Sequence, residues 1–217
     1  MHKTSSFFLK TIFFSFLLLL SNPMLGQSKR KKEAEFNFEY SPSLSSVIFI
    51  NDEDPELRWT HNFFAKGLFY LNKNLRFTLG LGYMNTRYHT TLYIGSVHEL
   101  NGITTTRYFN YLVMPVGLKF NIGPIFLNPE LGLAYNIGYH EWKSGYTQDQ
   151  MKIKVRSDEG KPHSLNNAVL PVFMTIGYEI KKKEYSILVA VKSYLSMSSI
   201  AYDKHFYGFG PMVGIKL

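Results

Sequence analysis

Apolar and polar residues alternate along most of the chain between Phe36 and Leu217, and the alternation is clearest at the C-terminal end. One set there comprises Tyr207, Phe209, Val213, Ile215 and Leu217, and the other comprises Gly208, Gly210, Met212, Gly214 and Lys216. A period of two places such sets on opposite faces of a β-strand. No segment after Gly26 has helical periodicity, so the sequence predicts an all-β protein.

Eight segments carry this alternation, and the connections between them are alternately short and long. The predicted strands are 35–49, 59–71, 75–92, 104–121, 124–141, 167–180, 184–198 and 205–217. Long polar connections follow at 51–58, 95–102, 142–166 and 199–204. Short turns at one end and long loops at the other are typical of outer-membrane barrels. We therefore predict one domain over 35–217, an eight-stranded antiparallel up-and-down transmembrane β-barrel with short periplasmic turns and longer extracellular loops.

The alternation alone does not decide which face lies inside the barrel. A soluble, lipocalin-like barrel would turn the apolar set inward around a ligand. The opposite set is rich in glycine and small residues, which suits a crowded lumen and favours apolar side chains facing lipid. Aromatic residues near the strand ends predict two interfacial girdles. Their members are Phe36, Phe38, Phe69, Phe120, Tyr178 and Tyr185 at one end, and Trp59, Tyr88, Tyr108, Tyr135, Tyr139, Trp142 and Phe206 at the other.

The N-terminal segment has the features of a secretory signal peptide. Lys3 and Lys10 give a positive start, residues 7–20 are almost wholly apolar, and small or turn-forming residues follow over 21–26. We predict a signal peptide over 1–26, Sec-type export with cleavage after Gly26, a periplasmic tail over 27–34, and location in the outer membrane. The chain has no cysteine, which excludes a lipoprotein anchor, disulfides, thiol catalysis and thiolate metal sites.

The formal net charge is +8, of which Lys3 and Lys10 in the leader contribute two. The basic residues are scattered rather than clustered, apart from a run at 29–32 that fits a solvated tail. An exported protein meets anionic envelope components before any nucleic acid, so we predict no nucleic-acid partner. The expected partners are outer-membrane lipid and lipopolysaccharide, the barrel-assembly machinery, and an envelope or secretion protein.

The polar face also predicts a set of charges inside the barrel. They are Glu35, Glu39, Lys66, Arg76, Lys119, Glu130, Glu179, Lys192 and Lys216. An eight-stranded barrel has an interior just wide enough to be filled by side chains, and buried charges are normally paired. We therefore interpret these residues as a structural ion-pair network and not as a pore lining or an acid and base pair.

Histidines form the other candidate set, because the predicted topology places all six that follow the leader at or beyond the extracellular ends of the strands. They are His61, His89, His98, His140, His163 and His205. Imidazole binds metals and acts as a general base, so a rim cluster for a metal, haem or hydrolysis is one hypothesis. No close spacing such as His-x-x-x-His supports it, and ordinary rim residues are the favoured interpretation. We assign no catalytic residue, metal or cofactor.

An enzyme hypothesis remains open, since some small outer-membrane barrels remodel lipid A with a serine and histidine pair assisted by an acid. The residues available for it are Ser96, His98 and Glu99, or His140, Glu141 and Ser144. Their spacing singles out neither group. The favoured function is a non-enzymatic barrel whose extracellular loops, above all 142–166, bind a partner or contribute to the envelope structure.

Five prolines fall inside the predicted strands, where each removes a hydrogen-bond donor from the sheet. They are Pro42, Pro115, Pro129, Pro171 and Pro211. A closed barrel has no free edge for them, so we predict bulges or strand breaks at these positions.

Residues 111–120, Tyr-Leu-Val-Met-Pro-Val-Gly-Leu-Lys-Phe, and residues 128–135, Asn-Pro-Glu-Leu-Gly-Leu-Ala-Tyr, resemble two strands of the PorT-like family of small outer-membrane barrels of Bacteroidota. The resemblance implies an eight-stranded barrel without a common activity. The family's namesake is associated with protein secretion, so the resemblance implies, as an alternative function, an accessory component of a secretion or envelope complex.

Overall fold

The computed structural model describes residues 34–48, 57–94, 101–146, 152–157, 166–199 and 205–217. The predicted signal peptide, nearly all of the predicted tail and parts of the long connections lie outside these ranges. No helix among the described residues is long and apolar enough to cross a membrane.

Ten strands make one antiparallel sheet that closes on itself. They are β1 (Ala34–Ile48), β2 (Arg58–Tyr70), β3 (Leu75–Ile94), β4 (Asn101–Ile122), β5 (Ile125–Tyr146), β6 (Lys152–Ser157), β7 (Ala168–Val169), β8 (Pro171–Lys181), β9 (Ser186–Ser196) and β10 (His205–Lys216). β7 and β8 are one barrel strand interrupted at Leu170, and β6 is an addition paired to β5. β1 pairs with β10 and β4 with β5, so eight strands form a closed ring. The predicted fold class is confirmed.

The two ends of the barrel differ in the length of their connections. At one end, called the short-turn end, the strands are joined by residues 71–74, 123–124 and 182–185. Gly123 has a φ of 63°, a left-handed conformation that glycine adopts without a steric penalty. The backbones of Phe36 and Leu217 exchange hydrogen bonds at the same end. The opposite end, called the long-loop end, carries all the longer connections.

Three strands are longer than the sequence predicts. β3 has 20 residues, and β4 and β5 have 22 each, whereas a tilted strand needs about 9–11 to cross a membrane. β6 pairs antiparallel with β5 through Glu141 to Tyr146. The outer parts of these strands form a sheet at the long-loop end, over 87–94, 101–109, 138–146 and 152–157, which we call the long-loop extension.

The apolar face points outward. On β9 the neighbouring residues Val191 and Lys192 are 59% and 1% exposed, and the same alternation runs along β2, β8 and β10. A soluble barrel with its apolar set inside is therefore excluded. The lumen instead contains serines, threonines, asparagines and the charged residues, together with a group of aromatic side chains toward the long-loop end.

The prolines interrupt the hydrogen-bond ladder without shifting its register. Pro42 and Pro211 lie opposite each other in a gap between the paired positions Tyr40 with Val213 and Leu44 with Phe209. The predicted bulges are therefore wrong at this seam, and the registers across Pro115 and Pro129 are likewise continuous. At Pro171 the predicted strand break is present, since Leu170 separates β7 from β8.

Each interruption places a glycine of the neighbouring strand against the proline segment. The pairs are Gly210 with Pro42, Gly80 with Pro115, Gly117 with Pro129 and Gly132 with Pro171. A Cβ on Gly117 would overlap the carbonyl oxygen of Pro129 and lie 2.8 Å from the Cα of Glu130. At Gly117 and Gly210 an added Cβ would meet backbone atoms of the proline segment, so these two glycines let two backbones approach. At Gly80 and Gly132 it would meet the proline ring, at 3.3 Å and 2.9 Å.

A register shift between β4 and β5 occurs at Asn110 and Tyr111, which pair with Gly138 and Asn136 and leave Ile137 as the extra residue. A bulge of this kind reverses the alternation beyond it. Tyr139 consequently packs inward against Phe109 instead of joining the outer girdle. The predicted girdle is also wrong for Phe206, which is fully buried in the lumen.

Candidate functional site

The lumen brings the nine predicted charges together in two groups. Each of the nine forms an ion pair with at least one other member of its group. The central quartet consists of Glu39, Lys66, Glu130 and Lys192, from four different strands. The short-turn cluster consists of Glu35, Arg76, Lys119, Glu179 and Lys216. Sequence alternation indicated that these residues face inward, and the geometry adds which residues are partners.

The central quartet has balanced charge and short contacts. Lys66 Nζ lies 2.7 Å from Glu130 Oε2 and 2.9 Å from Glu39 Oε2. Lys192 Nζ lies 2.8 Å from the same oxygen of Glu39 and 3.8 Å from Glu130 Oε2. The four side chains are no more than 2% exposed. Both ammonium groups therefore bridge both carboxylates in a site without solvent.

Neighbouring side chains satisfy the remaining polar atoms of the quartet. Asn37 Nδ2 donates to Glu39 Oε1 at 2.8 Å, and Thr78 Oγ1 donates to the free carboxylate oxygen of Glu130 at 3.3 Å. Lys192 Nζ also lies 3.7 Å from the ring centroid of Phe64 and 5.2 Å from that of Phe173. Hydrogen bonds and cation–π contacts thus offset part of the cost of burying four charges.

The short-turn cluster surrounds two carboxylates with three cations. Glu179 lies 2.5 Å from Lys216, 3.5 Å from Lys119 and 3.9 Å from Arg76. Glu35 lies 3.1 Å from Lys216 and 3.6 Å from Arg76. All five side chains are at most 12% exposed. The cluster carries one positive charge more than its carboxylates neutralise.

An apolar layer fills the lumen on the long-loop side of the quartet. Phe64 packs edge-on against Phe173 with ring centroids 5.6 Å apart, and Phe173 continues to Tyr194 and Phe206. The layer consists of Val47, Phe64, Met84, Phe109, Tyr111, Val113, Ala134, Val169, Phe173, Tyr194 and Phe206. The described side chains therefore plug the barrel with an aromatic layer above a layer of ion pairs.

We expect the protein to form no large, stable channel, because ions would have to displace both layers. The measurement is single-channel recording on the purified chain in a planar lipid bilayer, with an open porin as the positive control. A stable conductance close to that of the porin would contradict the plugged lumen.

The histidines of the described residues do not assemble into a metal site. His61 is exposed on the outer face of β2, where its ring stacks on Tyr40 and its Nδ1 lies 2.8 Å from the Tyr40 hydroxyl. His205 Nδ1 lies 2.9 Å from the carbonyl oxygen of Ser196. His140 lies on β5, and among the described residues no group of three potential ligands is placed to hold a metal. His98, His163 and the side chain of His89 lie outside the described part.

A polar network that the sequence analysis missed lies on the inner side of the long-loop extension. Glu141 Oε2 accepts hydrogen bonds from Arg107 Nε at 2.9 Å and from the Tyr139 hydroxyl at 2.6 Å, and its Oε1 lies 3.2 Å from Lys143 Nζ. Arg107 and Glu141 are directly paired across β4 and β5. Their opposite charges could have suggested an ion pair, but the register that pairs them follows from the bulge at Ile137.

The candidate enzyme residues His140, Glu141 and Ser144 are not arranged as a catalytic group. His140 and Glu141 are successive residues of β5, so their side chains leave the strand on opposite faces. Four residues of strand separate His140 from Ser144 by roughly 13 Å along the backbone. The Glu141 carboxylate is already bound by Arg107, Tyr139 and Lys143. The other candidates, Ser96, His98 and Glu99, lie outside the described residues.

We expect the Glu141 carboxylate to remain ionised well into the acid range. Burial opposes ionisation, but the hydrogen bonds from Tyr139 and Arg107 prevail and lower the pKa of Glu141 from its ordinary 4.5 to about 2. Because folding lowers this pKa, the ionised Glu141 stabilises the long-loop extension above pH 4.5, and this contribution is lost as the pH falls toward 2. Carboxyl ¹³C NMR should give a titration midpoint near 2 for Glu141, and Tyr139→Phe should raise it. A midpoint at 4.5 in both proteins would contradict the network.

No protein-family model matches the chain, and no curated protein matches its sequence. Solved structures similar to it are outer-membrane proteins. Ail, the attachment invasion locus protein of Yersinia pestis, is 13% identical, with 85% of this chain and 99% of that chain covered and a TM-score of 0.42. Neisserial surface protein A is 10% identical, with coverages of 86% and 97% and a TM-score of 0.39. The outer membrane protease OmpT of Escherichia coli is 9% identical, with coverages of 88% and 98% and a TM-score of 0.45.

Likeness at this level does not transfer a ligand or an activity to the present chain, and it gives no support to the PorT-like family. The fold assignment depends on the strand pairing itself. That pairing shows a closed, eight-stranded antiparallel β-barrel.

Proposed function

We propose that this protein is an integral outer-membrane β-barrel without enzymatic activity, which uses its long-loop end for binding or serves as a structural component of the envelope. The observation that carries the proposal is an apolar outer face around a lumen plugged by paired charges. A continuous apolar surface is unfavourable in water and favourable in hydrocarbon. A plugged lumen favours a rigid scaffold over a pore, so the nine lumen charges act as structural residues.

The proposed orientation places the short-turn end in the periplasm. Short turns on the periplasmic side and longer loops outside are typical of bacterial outer-membrane barrels. The proposal includes Sec-type export with removal of residues 1–26, and insertion by the barrel-assembly machinery. Outer-membrane lipid would then contact the apolar face, with lipopolysaccharide around the long-loop half.

The long-loop extension is the part of the barrel that we propose for binding. β4 and β5 remain paired from Asn110 with Gly138 out to Thr104 with Ser144, and β6 pairs with β5 from Glu141 to Tyr146. Strands of this length project past a bilayer, and the Arg107–Glu141 network braces them. Rigid projections that carry long loops are where barrel proteins commonly bind partners.

The membrane assignment is tested by separating the membranes of cells that express the chain, and by refolding the purified chain over 27–217. We expect the protein in the outer-membrane fraction and a folded state only in detergent or lipid. A chain over 27–217 that is folded and monomeric in detergent-free buffer would contradict the proposal.

Two measurements separate the proposed function from its alternatives. Purification from mild detergent should give the barrel without a stoichiometric partner protein, whereas a stable complex would favour the accessory role in secretion or envelope assembly that the PorT-like resemblance implies. Lipid A mass profiles should be identical in cells with and without the protein. A difference that depends on Ser144 or Ser96 would favour the lipid A-modifying enzyme.

A further inference from the structure

The short-turn cluster contains a surplus positive charge that the rest of the lumen does not neutralise. In the central quartet two ammonium groups face two carboxylates, whereas in the short-turn cluster three cations face two carboxylates. A buried charge without a counter-charge is strongly unfavourable. The lumen of the described residues therefore lacks one negative charge at this end.

The surplus is localised at Arg76 and Lys119. These residues are direct cross-strand partners on β3 and β4, and both side chains point inward. Like charges directly opposite each other repel. The nearest carboxylate oxygen to Lys119 Nζ belongs to Glu179, at 3.5 Å, and the other oxygen of Glu179 lies closer to Lys216, at 2.5 Å. Lys119 has one carboxylate partner, whereas Arg76 and Lys216 each have two.

Hydrogen-bond donors without acceptors lie at the same place. Arg76 is 8% exposed, and its Nε and Nη1 have no hydrogen-bond partner among the described residues. Asn121 Nδ2 is also buried without a partner. Asn121 follows Lys119 by two residues on β4, so the strand presents both on the same face. Buried donors that lack acceptors are rare in folded proteins. The carboxylate oxygens nearest to Arg76 lie 3.6 Å and 3.9 Å away, beyond hydrogen-bond distance, and Glu35 Oε2 and Glu179 Oε1 are themselves buried without a hydrogen-bond partner.

We propose that the short-turn end of the lumen binds one small inorganic oxyanion, of the phosphate or sulfate class, between Arg76, Lys119 and Asn121. The guanidinium and ammonium groups supply the positive charge, and Arg76 Nε, Arg76 Nη1 and the amide of Asn121 supply unsatisfied donors. One such anion removes both the charge surplus and the unsatisfied donors. No other described feature of the cluster accounts for both.

The position of these residues limits the size and the route of the anion. Arg76 is the second residue of β3 after a short turn, so the site lies within roughly 7 Å of the barrel mouth. On the inner side, the ring centroid of Phe126 lies 4.1 Å from Lys119 Nζ. On the outer side, the side chains of Arg76 and Glu35 keep 9% and 12% of their surface exposed, so solvent at the short-turn end reaches the edge of the site. The interior of an eight-stranded barrel is nearly filled by side chains, which favours a small ion over a larger organic anion.

The test is calorimetric titration of inorganic phosphate into the refolded full-length barrel in neutral detergent, at constant ionic strength set with sodium gluconate. We expect saturable binding with a stoichiometry of one. Lys119→Met removes the surplus charge and should weaken binding at least tenfold. Asn121→Leu changes no charge and should weaken it less, which provides a second variant in case Lys119→Met does not refold. Lys183→Met, in an exposed turn at the same end, should leave the affinity unchanged.

Several results would overturn the proposal. They are the absence of saturable binding to the unmodified barrel, unchanged affinity in both Lys119→Met and Asn121→Leu, and an equal loss in Lys183→Met, which would indicate general attraction to a basic surface. Retained binding in refolded Lys119→Met with loss in Asn121→Leu would also count against it, because the surplus charge would then play no part.

Discussion

Replacing Glu130 with glutamine should lower the free energy of unfolding by about 3–5 kcal/mol, the usual cost of breaking a fully buried ion pair from one side. The substitution leaves Lys66 and Lys192 facing the single carboxylate of Glu39 in a site without solvent. The measurement is urea unfolding of the barrel refolded into lipid vesicles, followed by tryptophan fluorescence. Loss of heat-modifiable migration on electrophoresis should accompany the change.

Two further variants show whether the effect comes from the buried charge. Glu184→Gln makes the same chemical change in an exposed short turn and should alter stability by less than about 0.5 kcal/mol. Lys66→Met combined with Glu130→Gln leaves Glu39 and Lys192 as an intact pair at 2.8 Å. This double variant should regain much of the lost stability. If it is as unstable as the sum of its two single changes, the quartet is not a coupled unit.

The central quartet illustrates what alternation predicts and what it leaves out. Its members come from β1, β2, β5 and β9, and each one has a predictable face because it belongs to the polar or small set of an alternating strand. The period of two says nothing about height along the barrel axis. Height depends on the stagger between strands, which arises from closure of the whole ring. The inward direction of the nine charges was therefore predictable from the sequence, but their partners were not.

The errors in the girdle prediction have a local cause and a global one. Tyr139 changes face because a bulge at Ile137 reverses the alternation in the middle of β5. Gly138 stands beside the bulge, but β5 also contains Gly132 and Gly145, so a single glycine does not identify the position. Phe206 lies on the same inward face of β10 as Gly208 and Gly210, but its aromatic side chain favoured a position at the membrane interface. Aromatic residues near strand ends also fill the lumen toward the long-loop end, so residue type alone does not separate a position in the lumen from one at the membrane interface.

The prolines differ from the aromatic residues, because the sequence contains the glycines that accommodate them, although on a neighbouring strand. Each proline that lacks a ladder partner faces a glycine of the next strand, so proline and glycine act as pairs across four seams. Pairs of this kind become visible only after the register between two strands is known. The prediction of bulges treated each strand separately, whereas the barrel accommodates Pro42 and Pro129 by a close approach of two backbones, and Pro115 and Pro171 by the space that a glycine leaves for the proline ring.

Substitution of Gly117 by alanine should therefore prevent normal closure of the barrel or destabilise it by about 3 kcal/mol, the upper part of the range for overpacked sites. The added Cβ would overlap the carbonyl oxygen of Pro129 and lie 2.8 Å from the Cα of Glu130. Both obstacles are backbone atoms, which cannot move without displacing β5 and, with it, the carboxylate that binds Lys66. The measurement is the refolded fraction in lipid vesicles together with the urea midpoint.

Gly138→Ala is the matched control, because the nearest atom to its added Cβ is Nδ2 of the Asn110 side chain, at 3.2 Å. A side-chain amide can give way by a few tenths of an ångström, so this variant should refold with a change below about 1 kcal/mol. If Gly117→Ala and Gly138→Ala are equally stable, the close backbone approach at the Pro129 seam does not limit folding. If only Gly117→Ala fails, and Gly117→Ala with Pro129→Ala recovers, the glycine is required by the proline it faces.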